Sequence, residues 1–115
     1  MKLALALFLI AFAASPRPDG SIVGSVTDSW NVPIPFAHVD VTDDETGEVV
    51  GRLSRTDGRF TVLGLVVGHR YSILTRSIGF APQRLPSVEA EPIGAGAPAI
   101  FKLAPIGVQL SARTH

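Results

Sequence analysis

Residues 37–62, AHVDVTDDETGEVVGRLSRTDGRFTV, decide the fold of this chain. Ala37, Val39 and Val41 alternate with His38, Asp40 and Thr42, a period of two that places one side in a core and the other in water. His38 is therefore expected on the outward face. Asp43-Asp44-Glu45-Thr46-Gly47-Glu48 follows as a solvated polar turn, with Gly47 available for a left-handed backbone. Val49 to Ser54 reads as the returning strand. Asp57-Gly58 is a tight-hairpin dipeptide, after which Phe60 and Val62 carry the pairing on. Successive short strands joined by tight turns can only form an antiparallel ribbon, because a parallel partner needs a long crossover.

Outward from that stretch the pattern persists. Ser21 to Thr27 is rich in β-branched residues and runs into Asp28-Ser29-Trp30-Asn31, a loop composition. Pro33 and Pro35 exclude helix and central ladder positions there. Leu65 continues the apolar side downstream. Tyr71, Ile73 and Thr75 alternate again, and Ile78-Gly79-Phe80 closes that segment. Gln83 to Val88 is a strand broken by Pro86, hence an edge strand. Glu91 to Pro98 is loop-like, and Ala99 to Leu103 forms a last strand with Ile100 or Phe101 inward. Beyond the N-terminus, every stretch with helical spacing is interrupted by a breaker. The expected architecture is all-β, an antiparallel Greek-key sandwich of six or seven strands.

The N-terminus reads as an export signal. Met1-Lys2 is a short basic start, Leu3 to Phe12 carries no polar side chain, and Ala11-Phe12-Ala13 offers the small residues that a signal peptidase fits. The apolar run is far short of the ~20 residues needed to span a bilayer. The expected organisation is a signal peptide over 1–13, a linker over 14–20, the sandwich over 21–104 and a tail over 105–115. The expected location is the periplasm or the extracellular space. The 115 residues include no cysteine, so disulfides, thiolate metal sites and a lipid anchor after the apolar run are excluded. Ten basic residues balance ten acidic ones, leaving no excess of positive charge for nucleic acid.

An ordered series of motifs resembles a known family. It comprises Gly24-Ser25-Val26-Thr27-Asp28, Pro33-Ile34-Pro35-Phe36-Ala37-His38-Val39 and Asp57-Gly58-Arg59-Phe60, continuing through Leu65, Gly68, Tyr71 and Ile78-Gly79-Phe80-Ala81-Pro82. The series is similar to the carboxypeptidase regulatory-like domain, a transthyretin-type sandwich related to Cna B-type modules. Asn31 stands where the family usually has glycine, and asparagine tolerates the left-handed region. Arg55 stands where aspartate is common, Val66 where proline is frequent, and Phe36 where glycine is frequent. The resemblance implies a fold and a module without catalytic residues. It also implies two settings. One is a domain appended to zinc carboxypeptidases, although no His-x-x-Glu pair is present here. The other is the N-terminal periplasmic extension of TonB-dependent outer-membrane receptors, whose run toward the plug Phe101 to Leu110 resembles. On this basis the chain is a standalone module or the remnant of a truncated receptor.

Chemistry-bearing residues are sparse. His38, His69 and His115 are far apart and are expected as separate strand, loop and tail residues, with no metal and no cofactor. Asp43, Asp44, Glu45 and Glu48 lack the spacing of a calcium loop. The C-terminal Ser-Ala-Arg-Thr-His differs from the Tyr-Arg-Gly-Ser ending that the related hydroxyisourate hydrolases use. Lys102 and Asn31 stand in the reverse order of a Cna B-type isopeptide pair. Trp30 and Phe36 flank the proline-rich turn and Phe80 ends a strand, which makes Trp30, Phe36 and Phe80 the candidate surface for a protein or glycan partner. The plainer expectation for Trp30 and Phe36 is that they plug the open end of the sandwich. The function expected is a non-catalytic exported binding or accessory module that contacts partners through end loops or edge strands. The first alternative is the N-terminal periplasmic extension of a truncated TonB-dependent receptor, and the second is a structural cell-envelope module.

Overall fold

The computed structural model describes residues 19–106. Seven strands of ordinary length and one of two residues form two facing sheets. The strands are β1 Gly20–Asp28, β2 His38–Asp43, β3 Val49–Leu53, β4 Arg59–Leu65, β5 Arg70–Arg76, β6 Gln83–Glu89, β7 Glu91–Pro92 and β8 Ala99–Leu103. The first sheet is built on β1, which pairs with β4 on one side and with β7 and β8 on the other. The second runs β3-β2-β5-β6. Every pairing is antiparallel except that of β1 with β8, which runs parallel from Gly24–Ala99 to Asp28–Leu103. The whole of the second sheet lies between these two strands in sequence, and that is the crossover a parallel pair requires.

The alternation read from the sequence is the core. Val39 and Val41 of β2, Tyr71, Ile73 and Thr75 of β5, and Phe60 and Val62 of β4 are buried between the sheets. Val26, Ile22, Phe101 and Leu103 join Phe60 and Val62 on the inner face of the first sheet. Of the two candidates on the last strand, Phe101 points inward and Ile100 is exposed. Phe60 and Phe101 meet with ring centroids 6.1 Å apart at a tilt of 47°, a geometry that aromatic quadrupoles favour. Gly24 makes room for this pair: a Cβ there would strike the Phe60 ring and the Ala99 carbonyl.

Several local expectations need revision. Gly20, read as linker, is the first residue of β1 and pairs with Leu65 and Pro92. Glu91-Pro92, read as loop, adds a short strand to β1. Phe80 does not end β5, which stops at Arg76; it forms an isolated bridge with Pro105, just after β8. Pro86 lies in an edge strand as expected, and the ladder absorbs it through a bulge between Tyr71 and Ile73, where Ser87 takes φ 59°. The residues read as a signal peptide and most of those read as a tail lie outside the described residues.

Candidate functional site

The β1–β2 loop, residues 29–37, is held by a dense set of backbone bonds. Asp28 terminates β1 and its Oδ1 accepts from Trp30 N at 2.8 Å and Val32 N at 3.0 Å. Asp28 N donates to Val32 O, and Ile34 N donates to Val26 O. Ile34 is buried, anchoring the loop into the core. The loop is tied to the second sheet by Ser54, immediately after β3. Its buried hydroxyl donates to Ile34 O at 2.7 Å and accepts from Ala37 N at 2.9 Å. The Ser54 backbone in turn accepts from Phe36 N and donates to Ala37 O. A buried hydroxyl satisfied in both directions holds its partners strongly, since breaking the set orphans two buried backbone groups.

This rigid loop carries Trp30 and Phe36 into solvent, 71% and 61% exposed. The expectation that they plug the end of the sandwich is overturned, because Ile34 and Ala37 occupy that space instead. Phe36 has φ 58° and Asn31 φ 65°. Both positions are those at which the family favours glycine. Asparagine tolerates the left-handed region, whereas for phenylalanine it costs of order 1 kcal/mol or more. Phe80 reaches the same end but behaves differently: it is half-buried against the core and bridges Pro105. In its place the turn after β5 presents Ile78, which is fully exposed, and Leu53 and Val32 add to the apolar surface. Two shallow hollows flank His38, one lined by Asp40, Gly51, Arg52 and Leu53, the other by Arg76, Ser77 and Ile78. His38 is exposed on the outer face of β2, as its alternation dictates. The sequence reading missed Ile78. Its signal was the Ser77-Ile78-Gly79 turn, where an apolar side chain has no strand to turn it inward.

A second cluster occupies the opposite end. Asp43 ends β2 and is buried, not solvated as its polar turn suggested. Its Oδ1 accepts from Glu45 N at 2.8 Å, closing the β2–β3 turn. Its Oδ2 lies 3.0 Å from His69 Nδ1. A carboxylate only accepts, so Nδ1 carries the proton. The other ring nitrogen, Nε2, lies 3.6 Å from Glu45 Oε2. The bond from His69 holds the Asp43 carboxyl below its usual range, and the bond to Asp43 raises the imidazole above its own. Burial raises the Tyr71 phenol, whose oxygen accepts from Val66 N at 2.9 Å. Among the described residues no hydroxyl bonds to His69, so the pair lacks the nucleophile that a hydrolytic triad needs. The cluster joins the β2–β3 turn to the β4–β5 turn. Sequence spacing concealed it because Asp43 and His69 are separated by two strands. Among the described residues no group of three potential ligands gathers to hold a metal ion.

Asn31 lies in its turn and Lys102 on the outer face of β8, both exposed, whereas an isopeptide pair joins within a core.

Comparison with known proteins agrees with this architecture. A streptococcal ancillary pilin is similar in fold, with a TM-score of 0.52 and 20% identity over 77% of this chain. The match spans 30% of that pilin chain. No curated protein matches. The family model described as carboxypeptidase regulatory-like domain matches residues 21–104, the whole of the sandwich, and the chain therefore belongs to the carboxypeptidase regulatory-like domain family.

Proposed function

We propose that the chain is an exported, non-catalytic binding module whose working surface is the end of the sandwich displaying Trp30, Phe36 and Ile78. The observation that carries this is Phe36. A left-handed phenylalanine is costly, and here the cost is not recovered by burial, because the side chain stands 61% exposed. Strain maintained without packing gain, on a loop pinned by Asp28 and Ser54, is what a preorganised contact surface requires. Rigid aromatic side chains at such a position supply large contact area at small entropic cost on binding. The apolar N-terminus supports export to the periplasm or beyond.

Site-specific photocrosslinking in the producing cell tests the reading. A photoreactive residue at position 30 or 36 is expected to give discrete adducts, while one at Leu63 or Ile93, exposed toward the other end of the first sheet, gives none. Adducts at all four positions alike, or none at 30 and 36, would overturn it. A companion measurement is Phe36→Gly, which is expected to keep or raise thermal stability, because relieved strain offsets the lost side chain, while abolishing the adduct formed from position 30.

A further inference from the structure

The charges around the aromatic end are not balanced in the way that the whole chain is. Each carboxylate there is already engaged. Asp28 accepts from the Trp30 and Val32 amides, Asp40 Oδ2 lies 2.9 Å from Arg76 Nη2, and Asp57 accepts from Arg59 N while lying 4.0 Å from Arg55 Nε. The cations exceed them. Among the described residues no carboxylate lies within 4.0 Å of the Arg52, Arg59, Arg84 or Lys102 side chains, and all four residues are exposed. Arg52 is next to Leu53 and walls the hollow beside His38. Arg59 opens β4 at the same end, opposite Ser25. The opposite end carries Asp43, Asp44, Glu45, Glu48, Glu89 and Glu91 against Arg70 and His69. The strands between the two ends span more than a Debye length at physiological salt, about 8 Å, so the acidic end does not neutralise the basic one.

Resting on the function proposed above, we infer that the partner of the aromatic end is an acidic polypeptide segment carrying apolar side chains. Trp30, Phe36 and Ile78 would take its apolar anchors, and Arg52 and Arg59 would pair with its carboxylates. Arginine suits this role because its guanidinium stays charged, is weakly hydrated and meets a carboxylate through two parallel bonds. Charge of this kind sets partner choice and association rate, while the apolar anchors supply most of the affinity.

The test is selection of random twelve-residue peptides displayed on phage against the immobilised full chain, followed by titration of the enriched peptides using the fluorescence of Trp30, the single tryptophan of the sequence. Enriched peptides are expected to combine Asp or Glu with Leu, Ile or Phe. Their affinity is expected to fall roughly tenfold between 50 and 300 mM salt and by a similar factor in the double variant Arg52→Gln, Arg59→Gln. Arg70→Gln, at the other end, leaves it unchanged. Circular dichroism of the double variant checks that the sheets are intact. Four results would overturn the inference: neutral or basic consensus peptides, no enrichment, affinity insensitive to both salt and the arginine change, or an oligonucleotide of equal charge binding as well as the peptide. Concentration-dependent self-association through the chain's own acidic end would overturn it as well. If position 30 crosslinks in the cell and the selected peptides are not acidic, the inference fails and the binding reading stands.

Discussion

The two ends of the sandwich close their loops by different means. At the acidic end, the β2–β3 turn is sealed by its own side chains: Asp43 is buried, caps the turn through Glu45 N and clasps His69. At the aromatic end the polar groups that hold the loop, Asp28 and Ser54, face backbone, and the large side chains are left to solvent. One end therefore uses its residues to complete itself, and the other spends conformational strain on display. That difference supports the proposed contact surface more firmly than the presence of aromatic residues does, since exposed apolar side chains are common singly.

The comparison can be broken first at its glycines. Gly58 and Gly47 sit in hairpin turns at opposite ends with nearly the same backbone, φ 79° and 80°. A Cβ at Gly58 would lie 2.6 Å from Val26 O and 3.0 Å from Pro33 Cβ, while nothing lies within 4 Å of one at Gly47. Gly58→Ala is expected to cost about 3 kcal/mol, strain and clash together, against about 1 kcal/mol for Gly47→Ala from strain alone. Urea unfolding of the two variants measures both, and equal losses would show that the aromatic loop does not rest on the β3–β4 hairpin.

A smaller effect is expected from Ser54→Ala. It leaves Ile34 O and Ala37 N without their side-chain partner and should cost about 2 kcal/mol. Because the bonds lost belong to the aromatic loop, hydrogen exchange should quicken in residues 29–37 and not in the β2–β3 turn. Uniform quickening would mean that Ser54 supports the core as a whole.

The acidic end should respond to pH. His69 has its folded pKa raised, so its contribution is complete below about 6.5 and is lost as pH rises through the folded value. Asp43 has its folded pKa lowered, so its contribution is present above about 3.9 and is lost as pH falls through the folded value. The clasp therefore stabilises most between those limits and weakens toward alkaline pH. Melting temperatures of the chain and of His69→Gln should differ at pH 5.5 and converge by pH 9. A constant difference would remove the clasp from the account.

Much of the fold was legible because a half-buried strand shows its period directly. Ala37, Val39 and Val41, and then Tyr71, Ile73 and Thr75, alternate in sequence and are buried in the structure. Asn31, at a glycine position of the family pattern, announced its positive φ angle. Less legible were features that depend on which strands become neighbours. The parallel pairing of β8 with β1 and the meeting of Asp43 with His69 join residues far apart in sequence. Local pattern carries no information on such distances. The fate of Trp30 was hidden for a related reason: an aromatic residue beside a proline-rich turn fits a plug as well as a platform, and only the placement of Ile34 in the available space decided between them.

The sequence by itself determined the strand pattern, the turn chemistry, the family and the apolar character of the N-terminus, because each is written in neighbouring residues. Tertiary structure decided the rest. It set Phe80 half into the core, left Trp30 and Phe36 outside it, and separated the acids of the β2–β3 turn from the arginines around the β1–β2 loop. Among the described residues Arg52 and Arg59 came to the aromatic end and Asp43, Asp44, Glu45 and Glu48 to the other, because folding sorts charges by position along the strands and not by order along the chain.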